Sequence, residues 1–407
     1  MIIFRGLLIF ILLVSPVLQA QTLSLEGRYE LDRYLAQSIE NSRIPGVVAL
    51  VTNGDGVVYH SAFGLMDTGN SKAMTKDAFF RIASMTKPIT SLAVMMLLEE
   101  GKIALDDPIE KYLPILANRE VFTRFDLKTG EYSSRPAEKL ITIRHLLTHT
   151  SGLGYSFDSP VLTKALGSDF AASATTLPLL HEPGEEWTYG ESTRVLGHLV
   201  ETVSGKELFK FMQERILQPL GMNKTYYDIP LSNSARAVTT HAWNGSSLIE
   251  TPNPAGMISS AHNGDAGLSS TAQDYARFIR LFLNEGVTEN GARIVSAETI
   301  ADMGRNHTGD VAVRLMPAAN PGLSEPFPLG AGVDRYGLGF QVTMQPSGNS
   351  RAPGSLAWAG IFNTEFWIDA ENNIGAVLMM QYLPFYDQVA VEVLQGFEQR
   401  IYENLAQ

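Results

Sequence analysis

Apolar runs predict paired strands near both ends of the chain. Residues 46–51 and 57–63 are short apolar runs separated by the turn sequence NGDG, which is typical of a β-hairpin. Residues 364–368 and 374–380 form a second pair of strand-like runs, joined by DAENN. Strand-forming sequence therefore lies near both termini, with a long interior between the two pairs.

Helical periodicity flanks these strands and fills the interior of the chain. Apolar residues recur every three or four positions in residues 28–41 and 386–403. Further helices are predicted at residues 90–100, 193–203, 207–217 and 272–284. We therefore predict an α+β fold in which one antiparallel sheet, built from both termini, is flanked by helices and interrupted by a mostly helical inserted lobe. The sheet lobe would span about 22–75 and 330–407, and the helical lobe about 76–329.

Residues 1–20 have the organisation of a secretory signal peptide. Arg5 is followed by an apolar run at residues 6–14, Pro16 ends that run, and Ala20 is a small residue at the predicted cleavage site. The run is too short to cross about 30 Å of hydrocarbon comfortably, so a membrane anchor is the less favoured alternative. We expect a mature chain of residues 21–407 that is secreted or periplasmic and has no membrane span after cleavage.

Composition excludes several classes of function. The chain has no cysteine, so it forms no disulfide, has no thiol nucleophile and holds no cysteine-ligated metal. Its 31 Lys and Arg residues against 43 Asp and Glu give a formal net charge of −12 at pH 7. Such an acidic protein is not expected to have nucleic acid as a partner, because phosphate backbones attract basic surfaces.

The sequence Ser84-Met85-Thr86-Lys87 supplies a candidate nucleophile. It precedes an apolar helical run, and side chains three positions apart at the start of a helix lie on one face. A serine hydroxyl needs a neighbour that takes its proton, and a lysine can do so only if its charged form is destabilised. Taken alone, the spacing favours the plainer alternative, an N-capping serine followed by a solvated lysine.

The wider sequence resembles the serine β-lactamases and their relatives, and is especially similar to class C β-lactamases and family VIII carboxylesterases. The segment ASMTKPITS around Ser84 looks like the Ser-x-x-Lys motif of that family. Further segments resemble family motifs in the same order, at residues 141–153, 183–189, 267–278 and 336–340. The resemblance covers nearly the whole mature chain and implies a three-layer α/β/α fold of the β-lactamase/transpeptidase kind.

Two family motifs are altered in this chain. Where the family has Tyr-x-Asn, the sequence is Tyr189-Gly190-Glu191, so Glu191 either pairs with Lys87 or is an ordinary exposed carboxylate at a helix start. Where β-lactamases and penicillin-binding proteins have Lys-Thr-Gly, the sequence is Trp358-Ala359-Gly360, similar to the Trp-x-Gly of family VIII esterases. An indole in place of the lysine that anchors a carboxylate favours an uncharged ester or amide substrate.

The resemblance also implies roles for individual residues. Tyr189 would be the base for Ser84, with a pKa lowered by the nearby ammonium of Lys87. The backbone N–H groups of Ser84 and Ile361 would form the oxyanion hole. Gly360, together with Trp358 and Glu191, would contact the substrate, since a glycine lets the strand approach it closely.

The leading interpretation is a carboxylesterase that acts on small uncharged esters through an acyl-Ser84 intermediate. A β-lactamase or D-alanyl-D-alanine carboxypeptidase is one alternative, and a non-catalytic binding protein with the same fold is another. No cofactor or metal is predicted, because the chain has no dinucleotide fingerprint, phosphate loop or zinc-protease motif. His145 and His149 are four positions apart but are interpreted as structural.

Overall fold

The computed structural model describes residues 22–167, 174–251, 262–346 and 348–406. The predicted signal peptide, residues 1–20, lies outside them. The helices are α1 (Leu25–Glu40), α2 (Thr86–Glu99), α3 (Ile143–Leu147), α4 (Pro160–Leu166), α5 (Ser192–Ser204), α6 (Leu208–Met212), α7 (Ala272–Leu283), α8 (Ala297–Met303) and α9 (Gln388–Glu403). The strands are β1 (Gly46–Thr52), β2 (Val57–Asp67), β3 (Lys72–Ala73), β4 (Phe80–Arg81), β5 (Glu120–Phe125), β6 (Tyr132–Pro136), β7 (His241–Trp243), β8 (Leu248–Glu250), β9 (Ser269–Ser270), β10 (Arg335–Tyr336), β11 (Gln341–Val342), β12 (Leu356–Gly360), β13 (Thr364–Asp369), β14 (Ile374–Met379) and β15 (Tyr382–Leu383).

The main sheet joins strands from both ends of the chain. Its order is β10-β11-β12-β13-β14-β1-β2-β3, and each neighbouring pair is antiparallel. The N-terminal hairpin β1–β2 meets the C-terminal hairpin β13–β14 where Leu50 of β1 lies opposite Val377 of β14. The predicted α+β fold with a sheet built from both termini is confirmed.

Helices cover both faces of this sheet. Helices α1 and α9 pack against each other on one face, and α7 packs across β1 and β14 on the other. Every residue of β1 is buried, since side chains of a strand alternate between faces and both faces are covered. Val47 and Ala49 enter the core beneath α1 and α9, whereas Val48 and Leu50 enter the core shared with the inserted lobe.

The inserted lobe is built around α2, which packs against α5 and is buried along almost its whole length. The predicted interior helices correspond to α2, α5, α6 and α7, and a π-helical turn at Gln213–Leu217 extends α6. The lobe also contains the hairpin β5–β6, which the sequence did not predict. Only Val121 of β5 is buried, so this hairpin has little of the apolar alternation that marks a strand. No helix in the described parts of the chain is long and apolar enough to cross a membrane.

Candidate active site

Ser84 lies in a tight turn that leads directly into α2. The turn, Ala83–Met85, is a 3-10 helix, and Ala83 has φ of 43°, a left-handed conformation that residues other than glycine seldom adopt. The hydroxyl of Tyr275 on α7 donates a hydrogen bond of 2.9 Å to the carbonyl of Met85. The surrounding structure therefore holds Ala83, the residue before the serine, in a backbone conformation that an isolated chain would avoid.

Lys87 is buried beside the serine. Its Nζ lies 3.1 Å from Oγ of Ser84 and donates a hydrogen bond of 2.8 Å to the backbone carbonyl of Asp265. Burial lowers the pKa of Lys87 to about 7, while the charge of Asp265 acts to raise it and that of Arg194 to lower it. A lysine with this pKa is neutral in a substantial fraction of molecules near neutral pH, so it can accept a proton from Ser84.

A buried polar network surrounds Lys87. The hydroxyl of Tyr155 donates a hydrogen bond of 2.5 Å to the carboxylate of Asp265, and Arg194 lies 3.3 Å from the same carboxylate. Burial alone would raise the pKa of Asp265, but the charges of Arg194 and Lys87 and these hydrogen bonds lower it. Asp265 is therefore a carboxylate, and its charge lies next to the lysine whose protonation the chemistry needs.

Glu191 belongs to the same network. It is only 3% exposed, so the alternative that it is an exposed carboxylate at a helix start is wrong. Its carboxylate forms an ion pair of 2.9 Å with Arg194, one turn along α5. Glu191 thus lies behind Arg194, and Arg194 connects it to Asp265.

Tyr189 lines the same pocket as Ser84 and also contacts Lys87. Nζ of Lys87 is 4.7 Å from the centroid of the Tyr189 ring and 5.2 Å from that of Tyr155, so the amine lies between two aromatic faces. Burial raises the pKa of Tyr189 above its usual value, and the nearby hydroxyl of Ser84 only partly opposes this. The predicted lowering of this pKa is wrong, because burial removes water from the phenolate and the charges of Asp265 and Asp158 also disfavour it.

Strand β12 brings the second altered motif, Trp358-Ala359-Gly360, to the nucleophile. The ring of Trp358 lies 5.0 Å from that of Tyr189, centroid to centroid, and the residue is 5% exposed. A Cβ at Gly360 would collide with the backbone carbonyl of Ile82 and with the side chain of Thr364. Glycine is therefore required here because β12 packs directly against the segment that leads into the nucleophile turn.

A pocket of about 430 Å³, part of it open to solvent, lies in front of Ser84. Ser84 and Ile361, whose backbone N–H groups are the predicted oxyanion hole, both line it, and so does Trp358. Of the residues that the structure describes, none that lines this pocket is Lys or Arg. The lining residues are Ser84, Phe157, Asp158, Tyr189, Met316, Ser324, Phe327, Trp358, Ala359, Ile361 and Phe385.

Several polar residues of this site carried no signal in the sequence. Arg194 and Asp158 belong to none of the matched segments and lie far from Ser84 along the chain. Tyr155 and Asp265 could have been found, since Tyr155 lies two residues beyond the segment at residues 141–153 and Asp265 lies two residues before the segment at residues 267–278. These residues are brought together by the packing of α2, α5 and the loops around them.

His145 and His149, which have the spacing of metal ligands on a helix, instead contact the backbone and aromatic rings. Nδ1 of His145 accepts a hydrogen bond of 3.2 Å from the backbone N–H of Thr142 at the start of α3. The ring of His149 lies 5.1 Å from that of Tyr189 and stacks on Trp358 at 6.4 Å. Within the described ranges, no group of three His, Asp or Glu side chains is arranged to hold a metal ion.

Comparison with known proteins identifies the family. The family model described as Beta-lactamase matches residues 31–395. This chain belongs to the β-lactamase family. Protein Rv1367c of Mycobacterium tuberculosis is 32% identical over 372 residues, which cover 87% of this chain and 90% of that protein. Esterase EstB of Burkholderia gladioli is 28% identical over 385 residues, which cover 86% and 89% respectively.

A solved structure shares the fold of this β-lactamase-family protein over nearly its whole length. Unliganded simvastatin synthase (LovD) from Aspergillus terreus is 25% identical, with a TM-score of 0.78, and the match covers 93% of this chain and 98% of that chain. The predicted resemblance to β-lactamase-like serine hydrolases is confirmed, and the protein is an esterase-like serine hydrolase of this family. None of these three proteins assigns a substrate to this chain.

Proposed function

We propose that this protein is a carboxylesterase that cleaves small uncharged esters through an acyl intermediate on Ser84. The proposal rests on the position of Trp358. This residue lines the pocket together with Ser84 and Tyr189, at the sequence position where β-lactamases have a lysine. The similarity to Esterase EstB supports ester cleavage. The remaining family activities, on β-lactams and D-alanyl peptides, involve substrates that carry a carboxylate.

The contacts of Lys87 suggest how the proton moves. Oγ of Ser84 attacks the ester carbonyl carbon, and its proton passes to the neutral amine of Lys87, 3.1 Å away. The carbonyl oxygen becomes an oxyanion between the backbone N–H groups of Ser84 and Ile361. Collapse of this tetrahedral intermediate breaks the ester C–O bond, and the leaving alkoxide takes a proton from the hydroxyl of Tyr189. Lys87 then returns its proton to Tyr189. Water repeats the sequence and releases the acid.

The electrostatics of the pocket disfavour an anionic substrate. A carboxylate that leaves water needs a partner, and no lysine or arginine is among the described residues of the lining. Arg314, which could have supplied the charge, lies at the adjoining cleft and pairs with Glu186. A charge-assisted hydrogen bond is worth about 1.5–3 kcal/mol, so the missing cation should cost a β-lactam about 10- to 150-fold in transition-state binding.

The test compares two substrates and two variants of Trp358. The wild type should have a higher kcat/KM for an uncharged nitrophenyl ester than for a chromogenic cephalosporin. Trp358→Lys should shift the ratio towards the cephalosporin by about 10- to 150-fold. Trp358→Phe is the matched control, since it keeps an aromatic ring without adding charge and should retain the preference for the ester. A wild-type enzyme that prefers the cephalosporin would contradict the proposal and favour the β-lactamase alternative.

We also propose that the enzyme acts outside the cytoplasm, after removal of residues 1–20. The proposal rests on the basic residue, apolar run and small residue of that segment. N-terminal sequencing of protein recovered from a secreting bacterial host tests it, and an intact Met1 on a cytoplasmic protein would contradict it.

A further inference from the structure

Asp158 stands out among the residues that line the catalytic pocket. It lies on the loop before α4, where its backbone N–H and that of Ser159 both point to the carbonyl of Tyr155, at 3.4 and 3.0 Å. It lines the pocket in front of Ser84 and also the adjoining cleft. A turn therefore fixes a carboxyl group at the junction of the two cavities, and the mechanism above gives this group no task.

The carboxyl group of Asp158 is unpaired within the part of the chain that the structure describes. No hydrogen bond or ion pair to its side chain occurs there, and burial alone raises its pKa to about 7. An ionised carboxylate in such a place is costly until a partner meets it. Arg314, which lines the adjoining cleft, pairs with Glu186, and Lys87, which lies beside Ser84, is enclosed between Tyr155 and Tyr189.

Aromatic rings make up much of the rest of the wall. The ring of Phe327 lies 6.4 Å from that of Trp358 and 5.3 Å from that of Phe385, and Tyr189 is 5.0 Å from Trp358. The negative faces of such rings attract cations, and a group of rings with one carboxylate is the chemistry that recognises a substituted ammonium ion. The same wall repels a carboxylate.

We propose that Asp158 and the aromatic wall make the pocket prefer esters that carry a substituted ammonium group over isosteric neutral esters, and neutral esters over anionic ones. The inference rests on the proposed cleavage of esters at Ser84. Uncharged esters remain substrates because Asp158 accommodates them in its protonated form. A cationic substrate favours the ionised form, which then pairs with it.

Three matched thioesters test the order of preference. Acetylthiocholine is cationic, neohexyl thioacetate is its neutral isostere, and S-acetyl-mercaptobutanoate is anionic. The released thiol can be measured with a thiol reagent, without background from the enzyme, because the chain has no cysteine. At a pH about one unit above the pKa of Asp158, kcat/KM should be about tenfold higher for acetylthiocholine than for the neohexyl ester.

Asp158→Asn removes the charge while keeping the size of the side chain. In this variant the ratio of kcat/KM between the cationic and the neutral ester should fall towards one, since only the aromatic wall then favours the cation, and kcat/KM for the anionic ester should rise. Asp310→Asn is the matched control, since it makes the same change at an exposed residue outside the pocket lining and should leave both ratios unchanged.

The outcomes separate this inference from the proposed function. If the neohexyl ester is hydrolysed and the ratio of kcat/KM between the cationic and the neutral ester is the same in wild type and Asp158→Asn, the role of Asp158 is overturned. The proposed cleavage of esters at Ser84 would then still stand. No hydrolysis of any thioester or of the nitrophenyl ester would overturn both proposals. If Asp158→Asn does not fold, inhibition of the wild type provides the test. Tetramethylammonium should inhibit hydrolysis of the nitrophenyl ester competitively and more strongly than sodium does at the same ionic strength. Equal inhibition by the two cations would contradict the inference.

Discussion

The two sides of Ser84 are built from different kinds of contact. On the side of Lys87, polar atoms are paired: the amine with the carbonyl of Asp265, the carboxylate of Asp265 with Tyr155 and Arg194, and Arg194 with Glu191. On the side of the pocket, the wall is aromatic and its carboxyl group is unpaired. Both sides are largely buried, so the difference is one of chemistry rather than of depth.

The comparison indicates that the two sides have different roles, one in proton transfer and the other in the choice of substrate. Many directional contacts fix the position and protonation of Lys87, so a change there should affect every substrate alike. The pocket wall acts through shape and charge, so a change there should affect substrates differently. Ser84 is shared by both sides, so a change there should affect every substrate most strongly.

Ser84→Ala should have the largest effect. Removal of the nucleophile should reduce kcat by about 10³-fold or more for every ester, because groups that act as a unit lose nearly all their effect together. Intact-mass measurement after treatment with a covalent serine probe should show one label on the wild type and none on the variant. A label that persists in Ser84→Ala would contradict the assignment, and a wild type that takes no label would favour a non-catalytic protein.

Lys87→Ala and Tyr189→Phe should differ in severity. The lowered pKa of Lys87 and the raised pKa of Tyr189 make the lysine the better proton acceptor, so Lys87→Ala should cost nearly as much as loss of Ser84. Tyr189→Phe, which removes a proton donor but keeps the ring, should cost about 10²-fold. Single-turnover rates on the nitrophenyl ester measure both, and a larger loss in Tyr189→Phe would restore the tyrosine as the base.

The pH profile should move in opposite directions in two variants of the polar side. In the Asp158→Asn background, which removes the other group with a pKa of about 7, kcat/KM for the nitrophenyl ester should rise as pH increases through about 7, because the neutral form of Lys87 accepts the proton. Asp265→Asn removes a negative charge that raises the pKa of Lys87, so this limb should move to lower pH, by on the order of one unit. Arg194→Gln removes a positive charge and should move it to higher pH. Shifts of the same sign would show that the network acts through packing alone.

Trp358→Phe should have the smallest effect on the uncharged nitrophenyl ester. It keeps an aromatic wall beside Tyr189, so kcat/KM should change by no more than about tenfold. The pH profile should not change, since Trp358 is not part of the network around Lys87. A shifted profile in Trp358→Phe would show that the two sides are coupled rather than separate.

Much of the site and fold could be predicted because it depends on local sequence. The hairpin of β1 and β2, the strands β13 and β14 and the helix α9 follow from apolar patterns and turn residues within short segments. Ser84 and Lys87 are three residues apart at a helix start, so their meeting needs only the geometry of one turn, and their distance of 3.1 Å fits that expectation. The family motifs placed Tyr189 and Trp358 near them.

What only the tertiary structure decided are the properties that depend on distant residues and on burial. Asp265 meets Lys87 across 178 positions of sequence, and Arg194 arrives from a different helix. The pKa of Tyr189 rises rather than falls because packing removes water from its phenol, a loss that no local pattern records. Sequence thus determined which groups can react, whereas the enclosure of those groups by α5, α7 and β12 decided which of them holds the proton.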